Sequence, residues 1–273
     1  MRNRLFVIRV LICLLMISPL AAQFTREEIA RRPEQERFLI DAEIVNYEEI
    51  GEGITKPFKL VLTQAGNSLS ACWKNPKGRP KGFLEGWTYE IAAYRLDKLI
   101  HLNMVPPTVS RKHLGKEGSL QLWVDVMMSD LDRMEQGIKI PADRLDHWNK
   151  MKYLTRAFDG LIANEDRTQQ NLLYTQDWRM ILIDHSRSFR SSREFRKRLL
   201  TGQHIEGRPK PFRQLPRWFI DNIKKLDTAS IQDAVGPFLK KKEIEAVLLR
   251  RDLILQEVEE MVRQKGEKNV IYE

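Results

Sequence analysis

The spacing of hydrophobic and polar positions changes several times along the chain. From Leu39, the segment EIVNYEEIGEGITKPFKLVL carries short strand-like runs broken by Gly51, Gly53 and Pro57. KLVLTQAGNSLSACWK then reads as two strands joined through Ala65, Gly66 and Asn67, small residues that a hairpin turn favours. The period lengthens over WTYEIAAYRLDKLIHL, 87–102, where Trp87, Ile91, Tyr94 and Leu99 share one helical stripe that Val105-Pro106-Pro107 ends. LQLWVDVMM, 120–128, has the character of a buried strand leaving into a connector. Helical spacing returns over 143–164, as one helix or two. Leu172–Tyr174 and Met180–Ile183 then form a predicted hairpin around a turn at Thr175–Trp178. Helices at 216–226 and 240–264 close the chain, the second keeping its apolar stripe over many turns. A strand-rich first part with one helix, followed by a helical second part, predicts an α+β chain of two lobes with a cleft between them. The expected boundaries are a lead-in at 23–38, a first lobe at 39–125 and a second at 126–273.

The first residues do not belong to that pattern. Arg2, Arg4 and Arg9 precede an apolar run from Val10 and the small residues Ala21 and Ala22. This is the layout of a secretory signal peptide over 1–22, or of an uncleaved N-terminal anchor, and either places the remainder outside the cytoplasm. Membrane contact is then expected only through this segment. Of the two cysteines, Cys13 lies in the leader. The mature chain would keep Cys72 alone, so no internal disulfide is available and the fold rests on its core. Loss of the three leader arginines would lower the net charge from +9 to +6, still suited to anionic partners.

The candidate chemistry centres on NEDRTQQNLLYTQDWRMILIDHS, 164–186. The fold-back point of the hairpin lies midway between Asn171 and Asp184, so both emerge at the same end. An amide oxygen and a carboxylate there suit a hard cation, Mg²⁺ or Mn²⁺. Asp166, on the loop leading in, can face the same space as a base. Phosphoryl transfer asks for this combination of positioning and charge neutralisation, although an Asx-rich loop bonding its own backbone would look similar. Lys74 ends a strand, and Glu90 near the start of the next helix is placed to hold it. Taken singly, the first reads as a surface lysine and the second as a solvated carboxylate. Gly51 and Gly53 would let backbone N–H groups approach phosphates.

The order of these parts resembles the protein kinase-like fold. EIAAYRLDKLIHLNMVPPT resembles the helix and Val-Pro-Pro exit of the secretory-pathway kinases, the Golgi casein kinase type. NEDRTQQNLL and LIDHSRSF resemble the catalytic and metal segments of that group, and also those of the phosphatidylinositol 3- and 4-kinases and the HipA-type bacterial kinases. The match runs from about Glu49 to Phe189. It implies a small β-rich first lobe with one helix, a mainly helical second lobe, and ATP bound with Mg²⁺ or Mn²⁺. By position, Lys74 would contact the phosphates with Glu90 holding it. Asp166 would be the catalytic carboxylate, and Asn171 and Asp184 would bind metal. Val124–Met127 would form the hinge at the adenine edge, and Cys72 would roof the base. Thr168 departs from the His that lipid kinases often have there, and the disulfides of animal secretory kinases have no counterpart.

The resemblance implies an exported phosphotransferase that moves a γ-phosphate to a hydroxyl, Ser/Thr of a protein among the choices. The same fold also serves lipid and small-molecule kinases, AMP or glutamate transferases, and binding modules without turnover. After Asp184, the residues Arg187, Arg190, Arg193, Arg196, Lys197 and Arg198 form either a solvated basic face or a dock. The dock would take an acidic protein, an anionic small molecule or a lipid head group. Nucleic acid is disfavoured, because no recognised binding motif accompanies the charge. His101, His113, His147 and His204 lack metal-ligand spacing, His185 reads as a local structural residue, and Asp159 as a local partner.

Overall fold

A computed structural model describes residues 24–51, 57–79, 84–197, 199 and 211–273. The expected leader, Gly53 and Arg198 lie outside the described residues. The chain opens with helix α1 (Arg26–Asp41), started by a reciprocal cap: Thr25 accepts from the Glu28 N–H and the Glu28 carboxylate accepts from the Thr25 N–H. The stretch read as a lead-in is therefore helical and docked. Arg32 on α1 is buried, pairs with Asp97 at 3.4 Å and donates to Asn103 Oδ1 at 2.8 Å.

Strands β1 (Glu43–Glu49), β2 (Phe58–Gln64) and β3 (Asn67–Lys74) follow as a meander. At the β2–β3 turn Gln64 pairs with Asn67, and Ala65 and Gly66 take φ of 49° and 80°. Two positive φ values give a turn whose twist matches that of the flanking strands. A short pair, β4 (Lys77–Gly78) and β5 (Glu85–Gly86), leads into α2 (Trp87–Leu99). A second hairpin, β6 (Thr108–His113) and β7 (Lys116–Leu122), completes an antiparallel sheet of order β1-β2-β3-β7-β6.

Gly118 on β7 is a site where only glycine fits. A Cβ there would stand 2.5 Å from the Lys74 carbonyl oxygen and 2.6 Å from the Trp73 ring. With that space left open, Trp73 lies buried across the strand and donates from Nε1 to the Arg111 carbonyl at 2.9 Å. This fixes β3 at Trp73, one residue before the strand ends at Lys74.

The helical part begins with β8 (Met128–Ser129), α3 (Asp130–Glu135) and α4 (Leu145–Ile162), a single helix. The hairpin β9 (Leu172–Tyr174) and β10 (Met180–Leu182) follows, paired in the register Tyr174–Met180. The chain closes with β11 (Leu215–Pro216), α5 (Arg217–Lys224), α6 (Thr228–Val235), α7 (Lys241–Lys265) and β12 (Ile271–Tyr272). Seven α-helices are present among the described residues. No described helix is long and apolar enough to cross a membrane.

Two apolar cores result. Leu60, Leu62, Ala71, Trp73, Leu120 and Leu122 of the sheet pack with Leu39 of α1. The larger core joins α4 to α7 with the β9–β10 hairpin and also takes in Tyr89, Ala92, Ala93, Tyr94 and Leu96 of α2. Helix α2 touches β6 and β7 on one side and α6 on another. It therefore links the sheet mechanically to the helical body.

Candidate active site

A cleft of about 470 Å³ runs between the sheet and the β9–β10 hairpin. Cys72 and Lys74 line one wall, Leu122, Trp123, Val124 and Val126 the connector side, and Asp166, Asn171, Ile183 and Asp184 the opposite wall. The sequence spacing brings these groups together for local reasons. Lys74 and Cys72 share a face of β3 by the two-residue alternation. The β9–β10 ladder continues one step past its strand ends through Ile183 N–H to the Asn171 carbonyl at 3.2 Å. That step leaves Asp184 beside the 169–171 turn. Asp184 itself takes φ 58°, a left-handed kink that ends the strand and turns its side chain from the ladder.

Lys74 Nζ lies 3.2 Å from Glu90 Oε1 and 3.0 Å from Asp184 Oδ1. Burial alone would lower the Lys74 ammonium pKa, but Asp184 and then Glu90 outweigh it and hold it well above its ordinary value. Burial alone would likewise raise Glu90, and Lys74 outweighs it, with His185 adding to the effect, so this carboxyl stays below its usual range. The second oxygen of Glu90 accepts the His185 backbone N–H at 2.9 Å. One carboxylate thus holds both the lysine and the turn that carries Asp184.

Asp166 is held by its backbone: its N–H donates to Asn164 Oδ1 at 3.1 Å, and its carbonyl accepts from Asn171 Nδ2 at 3.0 Å. With the Asn171 amide nitrogen committed there, its oxygen is the atom left for the cleft. Desolvation raises the Asp166 carboxyl pKa, opposed by Arg187, whose Nη1 lies 3.3 Å away. Arg187 Nε also donates to Glu85 Oε1 at 2.6 Å. Burial pushes the Cys72 thiol up to about 11.

Behind the cleft lies a second cluster. Arg167 donates to both carboxylate oxygens of Asp159, at 3.0 Å each, and to the carbonyls of Asn171 at 2.9 Å and Ile183 at 2.7 Å. Its Nη2 is 2.9 Å from His185 Nε2. Guanidinium can only donate, so the imidazole accepts there and is the neutral tautomer with its proton on Nδ1. Burial, which lowers the His185 pKa, agrees with that state.

No protein-family model matches the sequence, and no curated protein does. Among solved structures, that of hydra Fam20 with sugar is similar over 94% of this chain and 96% of that one, with a TM-score of 0.66 at 17% identity. The two chains share a fold. That likeness supports the kinase-like architecture expected from the sequence, and at this identity it speaks to architecture alone.

Of the residues singled out in the sequence, Lys74, Glu90 and Asp184 are in direct contact, and Cys72, Val124, Asp166 and Asn171 line the same cleft. Met127 packs against the helical core, its N–H donating to the Tyr174 carbonyl at 2.7 Å. Val126 stands on the cleft side instead, as strand-like alternation would have indicated. Gly51 is exposed, and a Cβ there would meet nothing within 4 Å, so local packing does not demand glycine. Gly53 lies outside the described residues. Sequence reasoning gave no role to Arg167, and none to Glu85 as the partner of Arg187. The Asp-Arg adjacency in NEDR was the signal for the first; nothing local signals the second.

Proposed function

We propose that this protein is an exported, ATP-dependent phosphotransferase that moves a γ-phosphate to a hydroxyl acceptor. The observation that carries this reading is the convergence on one cleft of a partly buried, doubly paired Lys74 with Asp166, Asn171 and Asp184. In this reading the sheet and helical parts act as two lobes, with the adenine between Cys72 and Val124. Lys74 holds the phosphates and Glu90 keeps it in place.

The donor set fits a divalent cation shared with phosphate. Among the described residues no group of three or more His, Cys, Asp or Glu side chains forms a cage. One amide oxygen and one half-exposed carboxylate leave coordination positions for phosphate oxygens and water, as Mg²⁺ or Mn²⁺ prefers. Asn171 and Asp184 would hold the ion, which would supply neutralisation of phosphate charge. Asp166 accepts the proton of the acceptor hydroxyl as its oxygen bonds to the γ-phosphorus. The bond from that phosphorus to the bridging oxygen breaks and ADP leaves. The raised Asp166 pKa makes it the better base for that proton.

The test is metal-dependent ATP binding by the full chain. Asp184→Asn should weaken binding with Mg²⁺ or Mn²⁺ by about a hundredfold, some 2.7 kcal/mol, while leaving metal-free binding unchanged. Wild-type protein that binds ATP equally well with and without metal would sink the reading. A second reading, a nucleotide-binding module without turnover, is favoured by the Arg187–Asp166 ion pair, which occupies the proposed base. Intact-mass analysis of acceptors separates these, since phosphate, AMP and glutamate add different masses and a module adds none.

A further inference from the structure

A second pocket of about 400 Å³ adjoins the cleft without sharing any lining residue with it. The two are separated by the chain at 84–85 and 165–166: Leu84 and Glu165 face the second pocket, Glu85 and Asp166 the cleft. Arg187, bonded to both Glu85 and Asp166, ties that wall together.

The charge in this second pocket is unbalanced. Arg190, Arg79 and Lys242 line it, and among the described residues Glu165 is the only carboxylate that does. Arg190 is 5% exposed. Its Nε edge is taken by the Glu165 carboxylate. Both of its Nη nitrogens are buried with no hydrogen-bond partner. A buried guanidinium with its fork unmatched is uncommon, because unpaired buried donors are costly and Arg is suited to paired oxygens. Arg79 and Lys242 are exposed and form no ion pair with a carboxylate among the described residues. Ser191 and Ser192 add hydroxyls at the same wall. The Arg190 backbone is held independently of any ligand, its carbonyl accepting from Arg250 Nη1 at 2.7 Å.

We propose that this pocket binds a phosphate-type oxyanion, the Nη edge of Arg190 meeting two of its oxygens while Arg79 and Lys242 close over the remaining charge. Its place one residue from Asp166 sets a bound phosphate monoester beside the transfer site. The class of acceptor it admits is a small hydroxyl compound that already carries a phosphate, which rests on the phosphotransferase reading; the oxyanion site itself does not. The fork geometry asks for planar pairs of oxygens, which a phosphate offers on any of its faces.

The experiment measures binding of inorganic phosphate, glucose 6-phosphate and glucose to the full chain by calorimetry at constant ionic strength. It is run on wild type, on the exposed double variant Arg79→Ala/Lys242→Ala, and on Arg190→Lys, which keeps the charge but removes the fork. Lys74→Met in each background removes phosphate binding in the main cleft. Both phosphates should bind and glucose should not, with affinity falling about tenfold or more in the double variant and in Arg190→Lys. Tighter binding of glucose 6-phosphate than of inorganic phosphate assigns the site to an acceptor, and the reverse assigns it to a free anion. Phosphate binding that is absent, or that survives both sets of pocket variants unchanged, overturns the proposal. Metal-dependent nucleotide binding, followed in parallel with Lys74 intact, reports on the phosphotransferase reading separately.

Discussion

Two ionic clusters meet at His185, and their members are satisfied in different ways. On one side Lys74, Glu90 and Asp184 face the cleft, and the Asp184 side chain remains 34% exposed. On the other, Arg167 and Asp159 are each about a tenth exposed, and Arg167 spends its remaining donors on the carbonyls of Asn171 and Ile183. The second cluster is closed: a bidentate pair, two backbone acceptors and a neutral imidazole use the whole guanidinium. The first keeps open oxygens on Asp184 and meets the backbone at Glu90, which accepts the His185 N–H. The difference separates scaffold from working surface. Charges that hold the loop at 164–171 against the Asp184 turn are fully paired, whereas charges that line the cleft are left incomplete.

That contrast can be broken most severely at Arg167. Replacement by alanine strands the buried Asp159 carboxylate and frees two carbonyls, so Arg167→Ala should cost about 3–5 kcal/mol in denaturant unfolding. A loss of ligand binding with unchanged stability would show that the closed cluster is not scaffold. A smaller effect is expected at Glu90. Its folded pKa is depressed below 4.5, so its stabilisation is present above the unfolded value and is lost as pH falls through the folded one. Wild type should therefore lose on the order of 1 kcal/mol more than Glu90→Gln when the pH is lowered from about 5 to about 3. Parallel stability curves for the two proteins would contradict that sign.

The smallest effect concerns Cys72, on the cleft wall it shares with Lys74. With its thiol ionising near 11 rather than the ordinary 9.0, alkylation should keep accelerating past pH 9. ATP with Mg²⁺ should slow that reaction by about threefold or more, a change readable by mass spectrometry. Equal rates with and without nucleotide would remove Cys72 from the binding wall.

Much of the site was legible because it is written in short-range patterns. The Ala65-Gly66-Asn67 turn sets the register of β2 and β3, and that register delivers Lys74. The apolar stripe of α2 places Glu90 sixteen residues on. The symmetry of the β9–β10 hairpin puts Asn171 and Asp184 at one end. Other features depended on contacts between distant segments. Strand β6 reads TVSRKH, too polar to stand out, and is recognisable only against β7. Helix α6 has eight residues and rests on a cap by Asp227 that competes with a plain turn reading. Arg190 looked like one more member of a solvated run, yet it is buried, while Arg196 of the same run reaches Glu245 on α7. Charge composition cannot distinguish those two fates, since contacts with distant segments decide which arginine is covered.

The double grip of Glu90 has a mechanical consequence. Its oxygens grasp the β3 ammonium and the His185 amide from one rung of α2. Sliding or rolling that helix away would drop both holds simultaneously. The direct pair between the ammonium and the kinked acid would be left as the remaining tie across the cleft.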